Sequence, residues 1–151
     1  MTTENESLFA WLPFQREFLQ NALGTGYGLW CGMKLLEARP GFARLGFKPR
    51  AEMLTPWGTL SGSIINGVLE MPAFVALLTE LPEGYLPVTN DFFLQHVRPL
   101  PGDVEYELVG TLLRRGKTMA WAESTALVDG KPVSYARITK TLAKTAANSI
   151  T

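Results

Sequence analysis

Residues 61 to 81 read SGSIINGVLEMPAFVALLTEL, and the rest of the chain must fold around whatever this stretch becomes. Its apolar residues, Ile64, Ile65, Val68, Leu69, Met71, Phe74, Val75, Leu77 and Leu78, occupy nearly every azimuth of a helix. A helix that is apolar all round is buried on all sides. Ser61 to Leu81 is therefore predicted to be a central helix, stopped by the Leu81-Pro82-Glu83-Gly84 turn. Pro72 removes one backbone donor and leaves the carbonyl near Val68 without a partner, which predicts a bend.

Upstream, Ser7 reads as the cap of a helix running to about Leu23, with Gly24 as its stop and Pro13 near its first turn or breaking it. Gly24 to Gly28 reads as a glycine-rich hinge. Leu29 to Ala38 reads as a strand, followed by an Arg39-Pro40-Gly41 turn and a hairpin partner over Phe42 to Phe47. Pro49 to Gly58 is a loop. Downstream, four strands are predicted, over Pro87–Arg98, Val104–Leu113, Thr118–Val128 and Val133–Leu142. Their links, Arg98 to Gly102, Arg114 to Lys117 and Asp129-Gly130, suit antiparallel hairpins. Ala120, Ala122, Ser124 and Ala126 alternate on one face, where small side chains would let a helix come close. Helix, two strands, buried helix, four strands is an α+β design, a curved antiparallel sheet wrapped around one long central helix. One domain covers 1–151, with an N-terminal helix and hinge over 1–28 and a frayed tail over 143–151.

At 151 residues there is room for one domain, and 46% hydrophobic against 19% charged residues supplies a core. Lysine plus arginine balances aspartate plus glutamate at 14 each, which argues against nucleic acid or an anionic membrane as partner. No run approaches about 18 apolar residues, so no membrane span is expected. The first residues, MTTENESL, have neither the basic nor the apolar region of a signal peptide, and a soluble, cytoplasmic protein is expected. The single cysteine, Cys31, excludes an internal disulfide and reads as a small apolar core residue in a strand. The single histidine, His96, cannot assemble a metal site and reads as a structural or surface residue. No metal or other cofactor is expected.

Ser63, Asn66 and Glu70 are spaced i, i+3, i+7 and share one face of the central helix. Glu70 is the residue to explain, because a carboxylate on a buried helix is costly unless it is paired or opens on a cleft. Two readings stand: a structural ion pair or hydrogen bond to an arginine, lysine or asparagine, or a general base or nucleophile tuned by burial. The helix start at Ser61-Gly62-Ser63 offers free N–H groups and the positive end of the dipole, a setting that stabilises an oxyanion. Gly62 and Glu70 lie eight residues apart, about 12 Å at the helical rise of roughly 1.5 Å per residue, too far for one carbonyl group to contact both. If two such helices pack antiparallel across a two-fold axis, Glu70 of one meets Gly62 of the other. Chemistry on this helix therefore implies a dimer.

Thr55-Pro56-Trp57-Gly58-Thr59-Leu60-Ser61-Gly62-Ser63, with Glu70 after it, resembles the Asn-Pro-x-Gly-x-x-His-Gly-Gly segment of the hotdog thioesterases, in which an Asp or Glu lies nine residues past the histidine. The chain is similar to the phenylacetate-degradation and 4-hydroxybenzoyl-CoA branches from about Leu29 to Leu142, including the Pro40-Gly41 hairpin, Arg98-Pro99 with Gly102, and the turn at 114–117. The resemblance implies a hotdog fold, hydrolysis of acyl-CoA thioesters, and homodimers or dimers of dimers with the site between subunits. By position it makes Glu70 the catalytic carboxylate, Gly62 the amide that polarises the carbonyl, and Thr55 the residue that orients substrate or water. Ser61 replaces the usual histidine, Ser63 the second glycine and Thr55 the amide; each can still make one hydrogen bond. Asn66 and Ser63 would line the substrate path, Asp91 could face the cleft near the helix start, and Trp57 and Phe74 could shape an acyl or aryl pocket. Trp57, Phe74, Phe92, Phe93 and Trp121 otherwise read as core. Arg114, Arg115 and Lys117 form a basic turn, either a solvated hairpin or a docking point for CoA phosphates. Two further possibilities are an acyl-CoA or fatty-acid binding protein without turnover, and a thioesterase acting on acyl carrier protein.

Overall fold

The structure is a computed structural model that describes residues 9–145. The chain runs α1 (Pro13–Gly24), α2 (Gly26–Cys31), β1 (Lys34–Arg39), β2 (Phe42–Phe47), a 3-10 turn (Ala51–Met53), α3 (Gly62–Leu78), β3 (Tyr85–His96), β4 (Tyr106–Arg115), β5 (Met119–Val128) and β6 (Lys131–Lys144). The six strands form one antiparallel sheet in the order β1-β2-β4-β5-β6-β3, curved around α3. After α3 the chain crosses the sheet, so that β3 is one edge and β1 the other. The α+β reading and the central helix hold.

The N-terminal part differs from expectation. The Ser7 cap lies outside the described residues; α1 starts at Pro13, which occupies the first turn where its missing N–H costs nothing. The expected hinge at 24–28 is interrupted by α2, and Leu29 to Cys31 are helical, so the first strand starts at Lys34. Cys31 is buried, but on α2 rather than in a strand. Short glycine-containing helices carry too few residues for a 3.6-residue period to show. At the other end β6 reaches Lys144, leaving 146–151 of the expected tail outside the described residues.

The helix α3 packs chiefly on β4, with β2 and β5 beside it. Ile65, Val68, Leu69, Ala73, Val75, Ala76, Leu77 and Leu78 are buried there, each large aliphatic side chain contributing about 1.5–3 kcal/mol of transfer free energy. Ala120, Ala122, Ser124 and Ala126 are buried on β5, as their small size predicts. The helix comes close to β4: a methyl group on Gly110 would lie 2.1 Å from the Pro72 carbonyl oxygen. Pro72 sits inside a helix that continues past it. The helix is not buried all round. Gly62, Ser63 and Asn66 are exposed, and Gly67 and Glu70 are half-buried, so one narrow polar face stays open. Gln15 holds α1 against the far end of α3, its side-chain amide donating to the carbonyl oxygens of Leu78 (2.8 Å) and Thr79 (3.4 Å).

Because the obstacle at Gly110 is backbone, no rotamer change relieves it. Gly110→Ala should lower the unfolding free energy by about 1–3 kcal/mol. Urea denaturation would check this, and an unchanged midpoint would mean that α3 can lift off the sheet without loss.

Candidate active site

The open face of α3 carries two distinct groups of polar residues, one at the helix start and one at its middle. At the start, Ser61 is the N-cap, with extended backbone (φ −61°, ψ 135°) and no side-chain cap bond. Its carbonyl accepts from the N–H of Ile64 (3.0 Å) and Ile65 (3.2 Å), and its own N–H donates to the Met53 carbonyl (3.0 Å). Among the described residues this leaves the Gly62 and Ser63 N–H groups as the open donors of the first turn, at the positive end of a 17-residue helix. His96, at the end of β3, lies beside them: a methyl group on Gly62 would be 3.6 Å from His96 Nε2. His96 Nδ1 is 2.7 Å from the Ser134 hydroxyl, whose residue is fully buried on β6.

Two turns on, Glu70 meets β3 and β6. Its Oε1 accepts from the Thr89 hydroxyl and from Lys140 Nζ (3.1 Å), while Lys140 Nζ also donates to Thr89 Oγ1 (2.8 Å). Burial pushes the Glu70 carboxyl up, but the Thr89 hydrogen bond, the Lys140 charge and the Lys140 N–H together outweigh it and hold the group below the ordinary carboxylate range. The carboxylate opens on a cleft of about 180 Å³ lined by Ala22, Tyr27, Gly67, Glu70, Met71, Phe74 and Lys140. The α1–α2 hairpin walls this cleft: Tyr27 Oη comes so near that a methyl group on Gly67 would overlap it, at 2.2 Å. Burial, then contact with Cys31, pushes the Tyr27 phenol far up, so it stays neutral.

The sequence put Ser63, Asn66 and Glu70 on one face with Ser61 and Gly62 at the helix start; in the structure Gly62, Ser63 and Asn66 are exposed, and Glu70 and Phe74 line the cleft. The other candidates fare differently. Thr55 spends its hydroxyl on Thr59 (Oγ1 to Oγ1 2.8 Å) inside the 55–59 turn. Trp57 is 84% exposed and lines neither core nor cleft. Phe93 is also exposed, at 63%, and Trp121 is only partly covered. An irregularity in β3 between Thr89 and Asp91 shifts the alternation of the strand, so Asp91 falls with exposed Phe93 and Gln95 rather than toward the helix start. His96 occupies that place instead. Arg114, Arg115 and Lys117 are exposed at the β4–β5 turn. The strand register nevertheless aligns Arg115, Ala120, Lys140 and Thr89 in one row across the sheet. At about 4.8 Å per strand the backbone of Arg115 is about 10 Å from that of Lys140.

Thr89, Lys140 and Tyr27 were not singled out by the sequence, and His96 was read there only as a structural or surface residue. A signal existed for one of them: Ala136, Ile138, Lys140 and Leu142 alternate, so Lys140 stands in an inward-facing register. Among the described residues no group of three or more His, Cys, Asp or Glu could hold a metal ion, and no helix is long and apolar enough to cross a membrane.

This architecture has solved counterparts. Thioesterase HI1161 of Haemophilus influenzae superposes with a TM-score of 0.80 at 15% identity, covering 95% of this chain and 99% of that one. Thioesterase superfamily member 2 of zebrafish gives 0.75 at 20% identity, over 84% and 94%. The phenylacetic acid degradation protein PaaI of E. coli gives 0.74 at 14%, over 86% and 91%. No family model and no curated protein matches the sequence. The chain shares its hotdog fold with these structures.

Glu70 has a folded-state pKa below its ordinary value of 4.5, so its pairing stabilises the protein fully above that value and is lost as pH falls through the depressed one. The stability difference between wild type and Glu70→Gln should therefore be constant near neutrality and shrink only below about pH 4.5. The effect is modest because the side chain is 40% exposed. Urea midpoints of the two proteins across that range would check the sign.

Proposed function

We propose that this chain is an acyl-CoA thioesterase whose site is shared between two subunits. The observation that carries the reading is the pairing, on one helix of a hotdog fold, of open amide donors at Gly62 and Ser63 with a cleft carboxylate, Glu70, held by one oxygen only. The donors suit the oxygen of a thioester carbonyl, where negative charge develops when a nucleophile adds. Glu70 suits the nucleophilic side: it activates water as a general base, or attacks the carbonyl carbon to give an anhydride that water then opens. The thiolate leaves as CoA–SH after protonation.

The helical rise of roughly 1.5 Å per residue puts the two groups about 12 Å apart within one chain, which calls for a partner. The β3 edge offers the means. It is 12 residues long, unpaired on its outer side among the described residues, and carries exposed Leu86, Val88 and Phe93. A long apolar edge is a template for pairing, and two β3 edges running antiparallel would join two six-stranded sheets. Homodimers, or pairs of dimers, are the assemblies this predicts. CoA as carrier is supported by Arg114, Arg115 and Lys117, whose turn lies at the same end of the sheet as Lys140. A soluble, cytoplasmic protein fits this reading. The engaged Thr55 hydroxyl favours a second reading, an acyl-CoA binding protein without turnover.

Free thiol released from short, long and aromatic acyl-CoAs, read with Ellman's reagent, tests the activity. Glu70→Gln should lower kcat by about 10²–10⁴-fold. Binding of acyl-CoA with no release from any member of the panel would favour the second reading.

Gly62→Pro removes the amide donor at the first helical position, where proline is tolerated and the extended Ser61 already suits it. A drop in kcat of about 10²–10³-fold is expected. Mixing Gly62→Pro with Glu70→Gln subunits should restore about one quarter of wild-type activity, since half the dimers would hold one intact shared site. No recovery on subunit exchange would put both groups of a working site in one chain.

A further inference from the structure

Among the described residues Lys140 is the one charged residue that is buried, at 4% exposure. Desolvating an ammonium group costs far more than a surface ion pair returns, so a lysine held this way must find strong partners. Its partners are Glu70 Oε1 at 3.1 Å and Thr89 Oγ1 at 2.8 Å, with the Phe74 ring centroid at 6.0 Å. Thr89 passes the contact on, because its hydroxyl accepts from Lys140 and donates to the same Glu70 oxygen. Both bonds end on Oε1. The second oxygen, Oε2, takes no hydrogen bond among the described residues, although Glu70 lines the cleft.

We propose that Lys140 is a positioning residue: with Thr89 it clamps Oε1 of Glu70 and so presents Oε2 as the single reactive oxygen to the cleft. The clamp rests on the thioesterase reading only for its consequence in catalysis; the orientation and charge of Glu70 depend on it in any case. A carboxylate free to rotate would offer either oxygen and spend much of its time turned from the substrate. Fixing one oxygen removes that freedom before the substrate arrives. The groups that face Glu70 are Lys140 from β6, the Thr89 hydroxyl from β3 and the neutral Tyr27 phenol from α2, while α1 contributes only Ala22. Among the described residues Lys140 is the only cation in that group, and it offsets the burial of the carboxylate together with the Thr89 hydroxyl. A salt bridge kept merely for stability would not need this arrangement, since buried ion pairs are commonly matched by apolar residues of the same volume.

The test is Lys140→Met, which keeps an unbranched apolar stem and removes the charge, with Thr89→Val as a second variant that breaks the relay but keeps the lysine. Carbon-13 NMR of labelled glutamate, with the Glu70 resonance assigned from Glu70→Gln, reads the carboxyl directly. In wild type it should titrate below the ordinary range, in Lys140→Met above it, and in Thr89→Val between the two. With acyl-CoA substrates, Lys140→Met should lower kcat by about tenfold to a hundredfold with little change in KM, and move the acid limb of the kcat profile upward in pH. A folded Lys140→Met protein with an unshifted Glu70 titration overturns the proposal, and so does an unchanged kcat profile. If Lys140→Met does not fold, Thr89→Val decides by the same two readouts. Should wild type release no thiol, the thioesterase reading fails by itself, and the Glu70 titration still decides the clamp.

Discussion

The carbonyl of Pro72 lies against the backbone of Gly110, and this contact between α3 and β4 sets the spacing of the rest of the molecule. Only glycine allows two backbones to come so near. With the helix seated there, the sheet must curve around it, and the buried row of small residues on β5 lets the curvature proceed. The helix then fills the concave side, and the chain that leaves it has no free neighbour except the far edge. That is where β3 goes, beside β6. The polar face of α3 is what the sheet cannot cover, and it opens along the line where β3 and β6 pass the helix.

The same geometry explains why charge is tolerated inside. Glu70 points to the β3–β6 side, where the register aligns Thr89 with Lys140 across the strand pair. Each of the three groups would be costly in that place alone; together they satisfy one another. The α1–α2 hairpin, fixed to the end of α3 by Gln15, closes one wall of the cleft with Tyr27. Gly67 in the middle of the helix leaves room for this contact, since a methyl group there would displace the phenol. An N-terminal segment that adds nothing to the sheet thereby becomes part of the candidate site.

Much of this was legible in the sequence. The apolar density of 62–78, the alternation of the later strands and the Pro40-Gly41 and Asp129-Gly130 turns are local signals, and each element they predicted is present, with ends shifted by a few residues. The misreadings have a common cause. The α2 segment reads as hinge up to Gly28 and as strand from Leu29, because its glycines mask a helix of six residues. The family resemblance offered Asp91 as a residue that could face the helix start, and the irregularity after Thr89 turns it outward. Trp57 and Phe93 were read as core from their character alone, yet hydrophobic residues remain outside whenever the packing has no place for them.

By itself the sequence determined that a long apolar helix stands at the centre of an α+β domain, that Ser63, Asn66 and Glu70 share one face of it, and that Gly62 and Glu70 lie about 12 Å apart at roughly 1.5 Å per residue. Those facts follow from the helical period and the cost of burying a carboxylate, which act over a few residues. Tertiary structure alone decided what Glu70 pairs with, that His96 rather than Asp91 reaches the helix start, and that Tyr27 walls the cleft. The partners of Glu70 lie 19 and 70 residues away in the chain. Their meeting depends on the register of β3 against β6, which is fixed only when the whole sheet closes on the helix.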